Sequence, residues 1–346
     1  MYSDRKANEK AIADKELTVP DLNVQFERAK SNVEAAEADK SKAAAAHSDA
    51  RAHLEADSTL KAYGIDTVLI GSYKRHVAIR RVKDVDVLSK LPQLPRDVAP
   101  RQLLECFAAV LARAYGTGRV EVQRRSVKVD FPVLGLAVDA VPTRPCMSSP
   151  YIEIPDRSGG WETTNPERLT ELTTAMNNRY DGEYVPLVKL VRQARRHNLG
   201  DGQRPGGFYC EILTYHAAQA GLDTRSTATL FTSALRSIAV QLQSAAAGAA
   251  VLDPTMPGAV ISINATDAQR QTAAATFAAL ASKAETALQM ALCPSARAFR
   301  EIFGRNDDGD WVFEMPAACN EDGTAKPLHR VSSGERTIPA GDGRFA

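Results

Sequence analysis

The chain has 346 residues, enough for about two domains at the usual ~150 residues each. Hydrophobic residues make up 44% and charged residues 25%, as in a globular protein, and Lys plus Arg 43 against Asp plus Glu 42 leave a net charge of +1, which disfavours a long nucleic acid as partner. No apolar run approaches the ~18 residues of a membrane helix, and the start MYSDRKANEK lacks the apolar stretch of a secretory signal, so the chain reads as cytoplasmic with no membrane partner. Cys106, Cys146, Cys210, Cys293 and Cys319 are odd in number, scattered and never CxxC, so neither a disulfide framework nor a structural zinc site is expected.

In chain order, residues 1–20 are polar and read as a loose segment. Leu22, Phe26, Ala29, Val33 and Ala36, then Ala43, His47, Ala50 and Leu54, follow at helical spacing. Nothing between Asp21 and Asp57 is a Gly or Pro, so one long helix able to span two lobes is predicted. The texture then turns to short β-branched runs: Thr67–Ile70, Val85–Leu88, Val120–Gln123, Ser126–Phe131 and Leu136–Val141. The last two flank Pro132 to Gly135 and read as an antiparallel hairpin, and residues 101–115 read as a helix. Asn165-Pro166-Glu167 is a helix start, with Asn as N-cap, Pro where no N–H is needed, and Glu facing the dipole. Further helices are predicted near 183–198, 207–220, 225–247, 266–292 and 295–303. From Asn306 to Ala346 periodicity is lost, and a tail with at most a strand at Trp311–Phe313 is expected. The predicted divisions are a loose segment 1–20, a long helix with a sheet-bearing palm 21–165, a helical lobe 166–305 and a tail 306–346.

The chemistry concentrates between Gly71 and Leu88. A strand runs into Gly71-Ser72, and a second strand carries Asp84-Val85-Asp86, whose carboxylates share a face because strand side chains alternate. Two anions side by side repel unless cations lie between them, and hard divalent ions are their natural partners. Asp139, in AVDAVPT, brings a third carboxylate from another strand, a set suited to two ions that clamp a phosphoryl displacement. Gly71 lets a phosphate approach the backbone, Ser72 can donate to its oxygens, and Lys74, Arg75, Arg80, Arg81 and Lys83 crowd the same loop.

Strand, Gly-Ser, spacer, Asp-x-Asp and distal strand Asp together resemble the nucleotidyltransferase superfamily of DNA polymerase β. The chain is more narrowly similar to the bacterial CD-NTases, relatives of cyclic GMP-AMP synthase and oligoadenylate synthase. The stretches SVKVDFPVLGLAVDAVPTRP, IPDRSGGWETTNPERL, PLVKLVRQARR, RPGGFYCEIL, VLDPTMPG and FREIFG carry that match over roughly residues 60–305. The resemblance implies an α+β bilobed nucleotidyltransferase fold, with a mixed-sheet palm and a helical C-terminal lobe joined by the long N-terminal helix. It selects Asp139 over Asp130 as third ligand beside Asp84 and Asp86, and leaves Asp130 as a hairpin charge. It implies two divalent ions, Mg²⁺ or Mn²⁺, and NTP contacts from Gly71, Ser72, Lys189 and Arg192.

Phe208 and Tyr73 are candidates for base stacking. The chain departs from the family pattern where Gly207 replaces a phosphate-binding Ser and Arg192-Gln193-Ala194 replaces Lys-x-Trp. Arg196, on the same stripe as Lys189 and Arg192, is expected to be solvated. The implied activity is template-independent synthesis of a cyclic di- or trinucleotide that works through a downstream effector in antiphage signalling. Other readings are a nucleotidyltransferase that modifies RNA, a drug or a protein, and a non-catalytic nucleotide sensor. The resemblance also implies a ubiquitin-transfer-like partner that joins the C-terminus, Ala346, to another molecule.

Overall fold

The structure is a computed structural model that describes residues 20–200, 203–262 and 265–327. Its elements are α1 (Asn23–Val33), α2 (Glu37–Ala56), α3 (Ser58–Ala62), β1 (Asp66–Ile70), α4 (Gly71–Lys74), β2 (Asp84–Lys90) and α5 (Pro100–Tyr115). Next come β3 (Val120–Val122), β4 (Val127–Phe131), β5 (Leu136–Pro145), β6 (Ile152–Pro155) and β7 (Trp161–Thr164). The helical part has α6 (Pro166–Arg179), α7 (Tyr184–Leu199), α8 (Gly207–Ala220), α9 (Thr227–Ala246), α10 (Asp267–Ala287) and α11 (Leu292–Phe303).

The sheet runs β1-β2-β5-β4-β3, with β6 and β7 continuing from the end of β5. β2 and β5 pair in parallel and the other neighbours pair antiparallel, so the sheet is mixed. One face of this sheet packs on α2 and α5 through Ala43, Ala50, Leu54, Leu103 and Phe107 together with Val85, Val87, Val129 and Val138. A separate apolar cluster fills the helical lobe, where Phe26, Phe231, Phe299, Phe303 and Phe313 meet with centroids 4.7 to 6.4 Å apart.

The long N-terminal helix is in fact two. α1 ends at Val33, and Glu34 to Ala36 are extended before α2 begins. The loop after α4 causes the break: Arg80 donates its backbone N–H to Val33 O at 2.9 Å, and Glu34 forms a β-bridge with Ile79. A carbonyl that would have continued the helix is thereby satisfied from outside. α1 then buries Phe26 and Val33 in the helical lobe, while α2 buries Ala43, Ala50 and Leu54 in the palm.

Three further expectations are corrected. β6 and β7 form a hairpin that the sequence reading did not predict, turning through Gly159 and Gly160 at φ +120° and +98°. Residues 306–327 are no tail: Val312 and Phe313 are fully buried in the helical core, and Asn306 bonds to Asn32 O at 3.1 Å. Trp311 makes a single bridge to Arg305 and no strand. Cys293 and Cys319 form a disulfide, because α11 and the returning chain bring together two cysteines 26 residues apart. The C-terminal handle ending in Ala346 lies outside the described residues, as does the N-terminal stretch before Pro20.

Candidate active site

β1, β2 and β5 converge on the site. In the parallel ladder Asp86 lies directly beside Asp139, and Asp84 lies beside Ala137, one same-face step along β2. Asp130 stands opposite Ala137 on β4, and its carboxylate accepts an ion pair from Lys128 at 3.0 Å. Burial and the charges of Asp84 and Asp139 push Asp86 up to about 7 against the pull of Arg75 and Arg192. Burial and Asp84 push Asp139 up to about 6, with Lys128 opposing. Oδ1 of Asp139 is buried without a hydrogen-bond partner.

These are carboxylates short of counter-charge, and hard all-oxygen donors of this kind fit Mg²⁺ or Mn²⁺. Among the described residues no three acidic, His or Cys side chains are already drawn into a ligand cluster.

Gly71 closes the turn between β1 and the short α4 with φ +76°, and any Cβ there would overlap the Asp86 carboxylate. Its glycine is thus required twice, by backbone conformation and by space. Gly71, Ser72, Asp84 and Asp86 open onto a cleft of about 550 Å³ between palm and helical lobe. Its far wall holds Arg192, Arg204, Gly207 and Phe208, and its sides carry Ile154, Asn165, Leu169 and Asp253. A chamber of about 180 Å³ shares Ser72, Asp84, Arg192 and Gly207 with the cleft and adds Arg81, Lys83, Arg195 and Arg196.

Phe208 lies in the cleft with 47% of its surface exposed, an open face on which a base can stack. Tyr73 does not reach it: its hydroxyl donates to Lys40 O at 3.2 Å beside the palm core. Lys189 is also elsewhere, buried and ion-paired with Glu34 at the break between α1 and α2. Arg196 is no solvated charge, since Nη1 pairs with Asp307 at 2.8 Å and the side chain is only 13% exposed. Of the basic loop, Arg75 reaches the cleft, while Arg80 and Arg81 pair with Asp308 at 3.2 and 2.8 Å and Lys83 pairs with Asp307 at 3.6 Å. Sequence reasoning missed Arg204, Asn165 and Asp253 as wall residues and Glu211 behind them. The Pro-Gly-Gly after Arg204 and the Asp-Pro at 253 were the available signals.

In its domain match and its fold the chain is similar to the bacterial CD-NTases. Residues 21–177 match the Second Messenger Oligonucleotide or Dinucleotide Synthetase domain. A curated relative, the cyclic AMP-AMP-AMP synthase of an Acinetobacter strain, is 33% identical over 177 residues, which are 49% of this chain. The chain spans about half the length of that relative, 50%. CdnC of E. coli MS115-1, solved with ATP, superposes with a TM-score of 0.62 at 18% identity, over 84% of this chain and 98% of that one. CdnG of Bradyrhizobium diazoefficiens, solved with GTP, gives 0.63 at 16% identity, over 82% and 95%. At those identities the two structures speak to the fold.

Proposed function

We propose that the protein is a template-independent nucleotidyltransferase that joins NTPs into a cyclic di- or trinucleotide second messenger. The observation that carries this reading is that Asp84 and Asp86 line a cleft whose opposite wall is cationic, with Asp139 beside Asp86 in the neighbouring strand. Asp84, Asp86 and Asp139 would hold two divalent ions, Mg²⁺ or Mn²⁺. When bound, such ions lower the pKa of an attacking ribose hydroxyl and stabilise charge on the transferring phosphate and pyrophosphate.

On the protein's side of the chemistry, Ser72 and the Gly71 backbone face the donor's phosphates. Arg192, with Arg204 on the same wall, supplies positive surroundings in which a pyrophosphate leaves. Phe208 gives a base a stacking surface, and the apolar Ile154 and Leu169 exclude water from the acceptor side. ATP is the substrate to try first, given the 33% identity over 177 residues to the cyclic AMP-AMP-AMP synthase. A product of this kind would act through a downstream effector in antiphage signalling.

The test is incubation of the protein with a labelled four-NTP mixture and Mg²⁺ or Mn²⁺, followed by phosphatase and mass spectrometry. A phosphatase-resistant cyclic product is expected. Its absence with every NTP and both ions would overturn the reading and favour a nucleotide sensor.

A further inference from the structure

Beneath the cleft the two lobes are tied by a charge cluster outside the carboxylate triad. Arg75, at the end of α4 in the palm, forks onto Glu211 of α8: Nε donates to Oε1 at 2.6 Å and Nη2 to Oε2 at 3.0 Å. Both side chains are sealed, 4% and 2% exposed. Arg192 of α7 approaches the same carboxylate, its Nη1 3.5 Å from Oε2, and its buried Nε has no hydrogen-bond partner. Gly207, one turn before Glu211 on α8, offers that guanidinium bare backbone. A Cβ at Gly207 would stand 3.1 Å from Cζ and 3.2 Å from Nη2 of Arg192.

Two guanidiniums share one carboxylate in a desolvated place, and both arginines line the cleft beside Asp86. Burying a guanidinium without a partner is costly, so Glu211 is what allows two arginines to be held there. Arg192 keeps a buried Nε donor without a partner, and a forked guanidinium suits a phosphate.

We propose that Glu211 is a positioning residue for phosphate binding: with the bare face of Gly207 it seats Arg192, and through Arg75 it fixes the helical lobe against the palm, so that Arg192 meets the incoming triphosphate already aimed. The proposal rests on the nucleotidyl-transfer reading for its substrate. Glu211 itself touches no substrate atom and acts through the arginines. Gly207, where the family pattern has a Ser, thus makes room for a guanidinium.

The experiment compares wild type, Glu211→Gln, Gly207→Val and the double variant Arg75→Gln/Glu211→Gln as full chains. Affinity for a non-hydrolysable ATP analogue with Mg²⁺ is read by calorimetry, alongside steady-state kinetics and melting temperature. Glu211→Gln is expected to weaken the analogue about tenfold and raise KM in parallel. The double variant, which removes a cation with its anion, should recover the melting temperature without recovering affinity, because Arg192 still lacks its partner. Gly207→Val, whose added carbons would crowd the Arg192 guanidinium, should bind about tenfold more weakly.

Wild-type affinity in both Glu211→Gln and Gly207→Val would overturn the proposal. So would recovery of affinity together with melting temperature in the double variant, which would make the role structural. If Glu211→Gln fails to fold, Gly207→Val decides. If the wild type binds the analogue and makes no product, nucleotidyl transfer fails while the affinities still decide the seating of Arg192.

Discussion

Burial and the charge of Asp84 push both Asp86 and Asp139 up. Asp130 illustrates the contrast: two residues from Lys128 on the same strand face, it is already neutralised. Asp84→Ala, Asp86→Ala and Asp139→Ala should each abolish product formation, and Asp130→Ala should leave most of it, as measured by product yield at saturating NTP. A dead Asp130 variant beside an active Asp139 variant would reverse the assignment. The same logic separates Lys189 from Arg192. Lys189 is buried against Glu34 away from the cleft, so Lys189→Ala should lower the melting temperature and change KM less than Arg192→Ala does. A larger KM effect at Lys189 than at Arg192 would count against that division.

At the level of elements, the strands of the palm were legible because each is a short β-branched run ended by Gly, Pro or charge. Asp84-Val85-Asp86 declared its own face by alternation. The break between α1 and α2 was illegible, since Glu34-Ala35-Ala36 contains no helix breaker. It is imposed by residues 79 and 80, which take the backbone groups the helix would have used. The β6–β7 hairpin could have been found in the alternation Ile152, Ile154 and the Gly159-Gly160 turn. In the helical lobe, Lys189 and Arg192 look alike on one stripe, and only the packing of α1 against α7 assigns one to Glu34 and the other to Glu211.

The disulfide was unreadable for a different reason, since Cys293 and Cys319 meet only after the chain past α11 folds back. Its chain-entropy contribution for a loop of 26 residues is about 3.5 kcal/mol. A Cys293→Ser/Cys319→Ser variant should therefore melt several degrees lower, and a reductant should lower the wild type to the same temperature. Unchanged melting under reduction would mean that the bond does not hold this segment.

At the scale of the whole molecule, the balanced net charge hides an uneven distribution. The acidic pair Asp307-Asp308, carried on the segment that the disulfide retains, occupies Arg80, Arg81, Lys83 and Arg196 behind the cleft. Those four cations in one place would otherwise make a patch to which polynucleotides adhere whatever their sequence. A built-in acidic mimic of phosphate already holds it, so a polynucleotide has little to displace there. An Asp307→Asn/Asp308→Asn variant should therefore gain affinity for a single-stranded RNA oligonucleotide, with a log–log salt slope steeper by roughly 0.7 per additional phosphate bound. An unchanged slope would show that the pair screens nothing. Selectivity for monomers over polymers would on this account be set outside the active site, by two carboxylates that never meet the substrate.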